Sequence, residues 1–492
     1  MPVLVGEPLS LEDVVAVAGG ADVAFPPAAR ARVIRARRVI TDALSTDRTI
    51  YGVTTGFGAL AGTRIDPAQA ADLQFGIVTS HATAVGRPLS RAETRAMLLL
   101  RAHVLALGHS GVRPELVDLM VEMLNRDVMP VVPEQGSLGA SGDLAPLACL
   151  ALPVVGRGEV LAADGTSREP ALGAFADAGL APLTLEAKEG LALVNGTQGM
   201  LAVLAMTIEA ALGTDAPFDE RLHRLRPHPG QAASASNLRR LLASSPILAS
   251  HRDSPHLVQD AYSLRCAPQV HGATRDAMAF VRGVLAIETN AVSDNPIVLP
   301  DDDEVRSGGN FHGMPVAVAL DALATSVVPL ASISERRLYR ILDAGTSNGL
   351  PPFLIPESGL NSGFMLVQYT AASLVSESKS LAHPASVDSI PSSAGQEDHV
   401  SMGMTAARHA RDIVANAEIV LALEALAAAQ ALDLRRPLES GRATHAVFDA
   451  LRGRVPFVDQ DREFGRDIDA AISLVRDGSL EAAAASVAGP LE

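Results

Sequence analysis

From Ala406 to Leu434 the chain is so dense in alanine and leucine that a long helix is the conformation it favours. Helical spacing recurs elsewhere. Val33, Ile34, Val39 and Ile40 mark a helix over Pro27 to Ala43, and others are expected over Arg91 to Leu107 and Arg113 to Asn125. Hydrophobic residues make up 48% of the 492, yet aromatics are only 3% and Trp is absent. The interior must therefore be built from Ala, Leu, Val and Ile, which suits closely packed helices. Strand signals are few: Glu159-Val160-Leu161 before Asp164-Gly165, and Ile297-Val298-Leu299 before the acidic turn at Asp301 to Glu304, both expected to be small hairpins. The expected class is mainly α, a long helical bundle with a smaller mixed N-terminal region. The division is expected near residue 110, with 1–110 mixed and 111–492 helical.

The net charge of −16 argues against nucleic acid or an anionic membrane surface as partner, since both require clustered Lys and Arg. Cys149 and Cys266 lie in apolar stretches and neither has the Cys or His spacing of a metal site, so a reducing cytoplasm is expected. The N-terminus shows no signal-peptide pattern. The apolar windows Gly199 to Ile208 and Val316 to Ser332 are too short for a span or carry Asp321, so they are expected to be buried helices. No ligand cluster or phosphate-binding loop calls for a metal or a nucleotide.

Pro130, Pro133 and the glycines of Glu134-Gln135-Gly136-Ser137-Leu138-Gly139 interrupt the helical pattern with a loop ending in Ala140-Ser141-Gly142-Asp143. Gly142 has no side chain, so its nitrogen can approach the Ala140 carbonyl carbon in a tight turn. Cyclisation, with loss of water from that adduct and from the Ser141 hydroxyl, would leave a five-membered imidazolone with an exocyclic methylidene. No ordinary side chain supplies such an electrophile.

The surroundings of this tripeptide resemble the histidine and aromatic amino-acid ammonia-lyase family, over residues from about 10 to about 475. The resemblance rests on Tyr51-Gly52-Val53-Thr54-Thr55-Gly56-Phe57-Gly58, on residues Gly136 to Leu147, on Asn195-Gly196-Thr197-Gln198, on Gln259 to Cys266, on Gly308-Gly309-Asn310-Phe311-His312 and on Gln396-Glu397-Asp398-His399-Val400, six motifs in the family's order. It implies an ammonia-lyase/fumarase-like fold, a methylidene-imidazolone (MIO) cofactor made from Ala140, Ser141 and Gly142, and a homotetramer whose sites are each built from three chains. By resemblance Tyr51 removes the substrate β-proton, Asn195 serves the cofactor and the substrate amine, and Phe311 lines the pocket. Arg265, three residues after Tyr262, matches the carboxylate-binding arginine, whose planar fork suits a carboxylate. Gln259, Tyr262 and Cys266, at i, i+3 and i+7, would share one face if that segment is helical.

Two places bear on the substrate. Ser80-His81 resembles the histidine enzymes, where phenylalanine and tyrosine enzymes carry Phe-Leu and His-Leu. Glu397 stands where the aromatic enzymes have an amide, as expected when the bound ring has N–H groups to pair. Met365 and the run Leu381 to Ser389 also resemble the histidine enzymes, whereas Gly313-Met314 departs from them and Met there occurs in some tyrosine enzymes. The implied reaction is elimination of ammonia from L-histidine to give trans-urocanate, with amine or ring attack on the electrophile both open. A tyrosine or phenylalanine lyase, an aminomutase, and a non-catalytic helical scaffold are the alternatives.

Overall fold

A computed structural model describes residues 1–45, 54–55, 65, 69–137, 144–162, 167–184, 186, 206, 210–212, 214–252 and 259–491. The class is mainly α, as the periodicity implies. Helices occupy Pro27–Ser45, Arg91–Ala106, Pro114–Asn125 and Gly403–Leu434, within three residues of the bounds read from the sequence. Their starts have local causes. Ser90 caps Arg91–Ala106 in a reciprocal box with Glu93, and Pro114 occupies the first turn of Pro114–Asn125, where its missing N–H costs nothing. Both expected hairpins form: Glu159–Leu161 pairs antiparallel with Arg168–Pro170, and Ile297–Leu299 with Glu304–Arg306. Glu304, read as part of the turn, belongs to the returning strand.

The chain divides into two compact units. One comprises Met1–Gln198, Arg282–Leu320 and Ala385–Ala407; the other Gly199–Val281, Asp321–Pro384 and Arg408–Glu492. The first has a core of Val, Leu, Met and Ala in which Arg91–Ala106 packs against Leu11–Ala18 and Pro114–Asn125. His103 is wholly buried there, and its Nδ1 accepts the Gly6 amide at 3.1 Å. Gly6 has φ +83°, and a Cβ on it would lie 2.6 Å from Ala29 Cβ and 2.8 Å from the Ala106 carbonyl, so only glycine fits this corner. Burial, and then the charge of Arg32, press the His103 pKa down to about 4, with Glu7 opposing.

The second unit is built on long helices. Where Pro229–Leu241 meets Ala267–Thr289, Gly230 and Gly272 leave no room for a Cβ between the backbones, and the Gly230 amide donates to Asp276 at 2.8 Å. Arg337 and Glu424 form a fully buried bidentate pair at 2.6 and 2.7 Å, with the Ser334 hydroxyl donating to the same carboxylate. His271 beside them is held well below the ordinary imidazole pKa by burial and by Arg337. Gln430 is also buried, its amide donating to the carbonyls of Leu354 and Val458 and accepting the Val458 amide. Helix Met314–Leu342 is long and apolar enough to cross a membrane by length and composition, but 56% of its most apolar stretch is buried in the protein, and Asp321 within the helix is buried too. Gly199 to Ile208, also expected as a buried helix, lies almost wholly outside the described residues.

Candidate active site

Tyr51, Ala140, Ser141, Gly142 and Asn195 lie outside the described residues, and so does Asp143. Their immediate neighbours are described. Thr54 and Thr55 are buried, and the Thr54 carbonyl accepts the Ile65 amide at 2.9 Å. Helix Leu144–Ala151 begins two residues after Gly142, with Pro146 in its first turn.

Helix Ala70–His81 packs against Leu144–Ala151. The strand that follows it, Val85–Pro88, pairs antiparallel with Pro133–Gln135, and Val85 stands opposite Gln135. The chain leaving His81 and the chain approaching the tripeptide are thus tied in one ladder. Gly136 continues that approach at φ +125°, where a Cβ would come 3.1 Å from Ala84 Cα. Cys149, on the helix after the tripeptide, is buried and its thiol pKa is raised by that burial, which makes it a packing residue. Exposed Ser80 places its hydroxyl 3.0 Å from Nδ1 of His81.

Glu397 lies in the segment between Ser389 and Val400 of the same unit. Its Oε2 accepts the Ser392 hydroxyl at 2.6 Å, and Oε1 has no partner among the described residues. Phe311 is half-buried, and its neighbour His312 stacks on His399 with ring centroids 5.9 Å apart and planes 2° from parallel. His312 Nε2 also lies 3.2 Å from the His399 carbonyl, so that ring nitrogen carries the proton. The Phe311 turn and the Glu397 segment are clasped through this pair.

Gln259, Tyr262, Arg265 and Met365 belong to the other unit. The continuous helical face expected for Gln259, Tyr262 and Cys266 does not form. Gln259 lies in a bend, Tyr262–Arg265 is a helix of four residues, and Cys266 at φ −96°, ψ 12° separates it from Ala267–Thr289. Pro268 explains the break. Proline has no N–H for the Leu264 carbonyl and is accommodated in the first turn of a new helix. Arg265 nevertheless stays beside Tyr262, its guanidinium carbon 4.4 Å from the ring centroid, and its Nε is buried without a hydrogen-bond partner among the described residues. Tyr262 itself is 70% exposed in the single chain. Asp260 anchors the segment by accepting the Thr214 amide and hydroxyl at 2.8 and 3.1 Å. Met365 opens helix Met365–Leu381, after Gly363 at φ +54°.

Taken one by one, an arginine with an unpaired buried nitrogen suits a carboxylate, and a carboxylate with one unpaired oxygen suits an N–H donor. The profile of the family described as aromatic amino acid lyase matches residues 9–453. The chain belongs to the aromatic amino acid lyases. A histidine ammonia-lyase of Anaeromyxobacter sp. (strain K) is 54% identical over 97% of this chain and 98% of its own. The crystal structure of histidine ammonia-lyase from Trypanosoma cruzi is 40% identical, with TM-score 0.90 over 99% of this chain and 96% of its own. Tyrosine aminomutase from Streptomyces globisporus is 36% identical, with TM-score 0.92 over the full length of both chains.

Residues that hold this lyase's candidate site were not all singled out in the sequence. Asp461 accepts the amides of Ser362 and Gly363 at 2.9 and 2.8 Å, fixing the entry to the Met365 helix, and those bonds lower its pKa. It is 98 residues from Gly363, and no local pattern announces it. Ser392 is only five residues from Glu397 and bridges to it antiparallel across a four-residue loop, a common hairpin length that was not singled out in the sequence.

Proposed function

We propose that this lyase removes ammonia non-oxidatively from L-histidine to give trans-urocanate, the opening step of histidine degradation. The observation that carries the reading is the Glu397 carboxylate, with one oxygen engaged by Ser392 and the other left to accept an N–H. An imidazole supplies that donor. A phenyl ring would leave the oxygen unpaired, at a cost of about 1–3 kcal/mol. Relatives 51% to 54% identical over 97% or more of this chain are named for the same substrate.

The described residues fit an MIO group at Ala140-Ser141-Gly142. The chain reaches the tripeptide through Gly136, in a conformation closed to larger residues, and leaves it through helix Leu144–Ala151, whose N-terminal amides favour negative charge. Formed by loss of two waters, the group supplies the electrophile that turns the amine into a leaving group. The protein's side chains do the rest. Arg265 binds the substrate carboxylate with its fork while Tyr262 supports the guanidinium. Glu397, Ser80 and His81 orient the ring, Asn195 holds the amine, and Gln259, Phe311 and Met365 line the pocket. Tyr51 takes the β-proton. At an unshifted pKa of about 10 only roughly one tyrosine in a thousand would be phenolate at pH 7, so its surroundings must favour the anion.

We further infer a cytoplasmic homotetramer with sites shared between chains. Tyr262, Leu366 and Tyr369 are 70%, 61% and 60% exposed in the single chain, which supports cover by other copies. The deciding experiment combines intact mass with kinetics. The purified chain is expected two waters lighter than its sequence, and Ser141→Ala at full sequence mass. kcat/KM for histidine is expected to exceed that for tyrosine and phenylalanine, with no β-amino acid product. Unmodified mass in an active preparation refutes the cofactor, and preference for tyrosine refutes the substrate.

A further inference from the structure

The segment that carries Glu397 contains an uncommon backbone. Ser393 and Ala394 have φ +50° and +53°, and Gly395 follows at +85°. Two successive side-chain-bearing residues in the left-handed region are disfavoured because Cβ crowds the neighbouring carbonyl. Such a turn persists only where its surroundings impose it, and it is a reason to ask what it positions. Its consequence is visible at its ends. The Ser392 amide donates to the Glu397 carbonyl at 2.9 Å, the Glu397 amide returns to the Ser392 carbonyl at 3.4 Å, and the Gly395 amide donates to that same carbonyl at 3.0 Å. Residues 392 and 397 therefore face each other across a closed loop.

The rest of the segment is pinned as well. The Val400 amide donates to the Ser389 hydroxyl at 3.0 Å, and the His312 ring holds the His399 carbonyl. These contacts fix the backbone of Glu397, but a glutamate side chain keeps three torsions of its own. The Ser392 hydroxyl removes that freedom by donating to Oε2 at 2.6 Å, the length of a strong bond to a charged acceptor. Oε1 is then the carboxylate oxygen without a partner among the described residues.

We propose that Ser392 is a positioning residue that sets substrate selectivity through Glu397, and that the left-handed turn exists to bring its hydroxyl to the carboxylate. This rests on the histidine reading above. A hydroxyl that acts through Glu397 has an effect only while Glu397 is there and only on substrates whose ring donates to it. A hydroxyl that merely stabilises the turn acts on every substrate alike.

The test uses the full-length enzyme and its Ser392→Ala, Ser392→Thr, Glu397→Gln and doubly substituted Ser392→Ala/Glu397→Gln variants. kcat/KM is measured on L-histidine and on L-tyrosine, with melting temperatures alongside. Ser392→Ala is expected to lower kcat/KM for histidine about tenfold, mostly through KM, and to leave any tyrosine turnover unchanged. Ser392→Thr, which keeps the hydroxyl, is expected within about twofold of wild type, and Ser392→Ala is expected to add nothing in the Glu397→Gln background. A wild type that does not turn over histidine overturns the substrate reading and this inference with it. A wild type that does, with Ser392→Ala within about twofold of it, or equally impaired on tyrosine, or still harmful in the Glu397→Gln background, overturns this inference alone. So does loss of histidine turnover in Ser392→Thr with a lowered melting temperature.

Discussion

Acid should weaken this protein through His103, in a window set by one buried imidazole. The folded state holds His103 at a pKa of about 4, chiefly by burial, against 6.5 for an exposed imidazole. Its Nδ1 accepts the Gly6 amide, so a proton there would break that bond as well as place a charge beside Arg32. The sign follows from proton binding. Between pH 6.5 and 4 the unfolded chain takes up a proton that the folded chain refuses, so the stability this residue contributes at neutral pH is lost as pH falls through 6.5, and the loss is complete below about 4. The full depth is about 3 kcal/mol, and about 2 kcal/mol is already lost at pH 5. The comparison variant is His103→Asn, whose side-chain oxygen can take the place of Nδ1 and does not titrate. Urea unfolding of both proteins, followed by circular dichroism at pH 8, 7, 6 and 5, gives the difference in stability at each pH. Asn should be worse at pH 8, where it leaves a cavity, and the gap should close by about 2 kcal/mol on going to pH 5. A gap that stays constant from pH 8 to 5 refutes the argument.

Arg265→Lys should reduce kcat/KM for histidine by roughly 10- to 100-fold, because an ammonium cannot grip a carboxylate bidentately; melting temperature should hardly move, since the described contact of the guanidinium is with the Tyr262 ring. Glu424→Gln should destabilise the second unit by about 3–5 kcal/mol by leaving Arg337 charged and uncompensated in the core, read as a lowered urea midpoint. Gly363→Ala should cost roughly 1–3 kcal/mol, because its φ of +54° is strained for alanine and the new Cβ would lie 2.6 Å from the Phe353 carbonyl; a melting temperature equal to wild type would contradict this.

What the sequence determined by itself is what adjacent residues decide among themselves. Helices such as Arg91–Ala106 and Gly403–Leu434 follow from apolar spacing and capping residues, and the hairpins at 159–170 and 297–306 need partners only a few residues away. The chemistry proposed for Ala140-Ser141-Gly142 is local too, as is the identity of Arg265 and Glu397. Even locally a signal can be outvoted. The face shared by Gln259, Tyr262 and Cys266 assumed one helix, and a second one starts at Ala267 instead, with Pro268 in its first turn. Only the tertiary structure decided which distant groups meet. It paired Val85–Pro88 with Pro133–Gln135, brought Asp461 to the amides of Ser362 and Gly363, and interleaved stretches of chain into two units. It also closed Ser392 onto Glu397 through a left-handed turn that no propensity favours. Periodicity tells a residue which face to bury but not against what. That choice is made by packing and hydrogen bonding across long separations, as between Asp461 and the amides of Ser362 and Gly363.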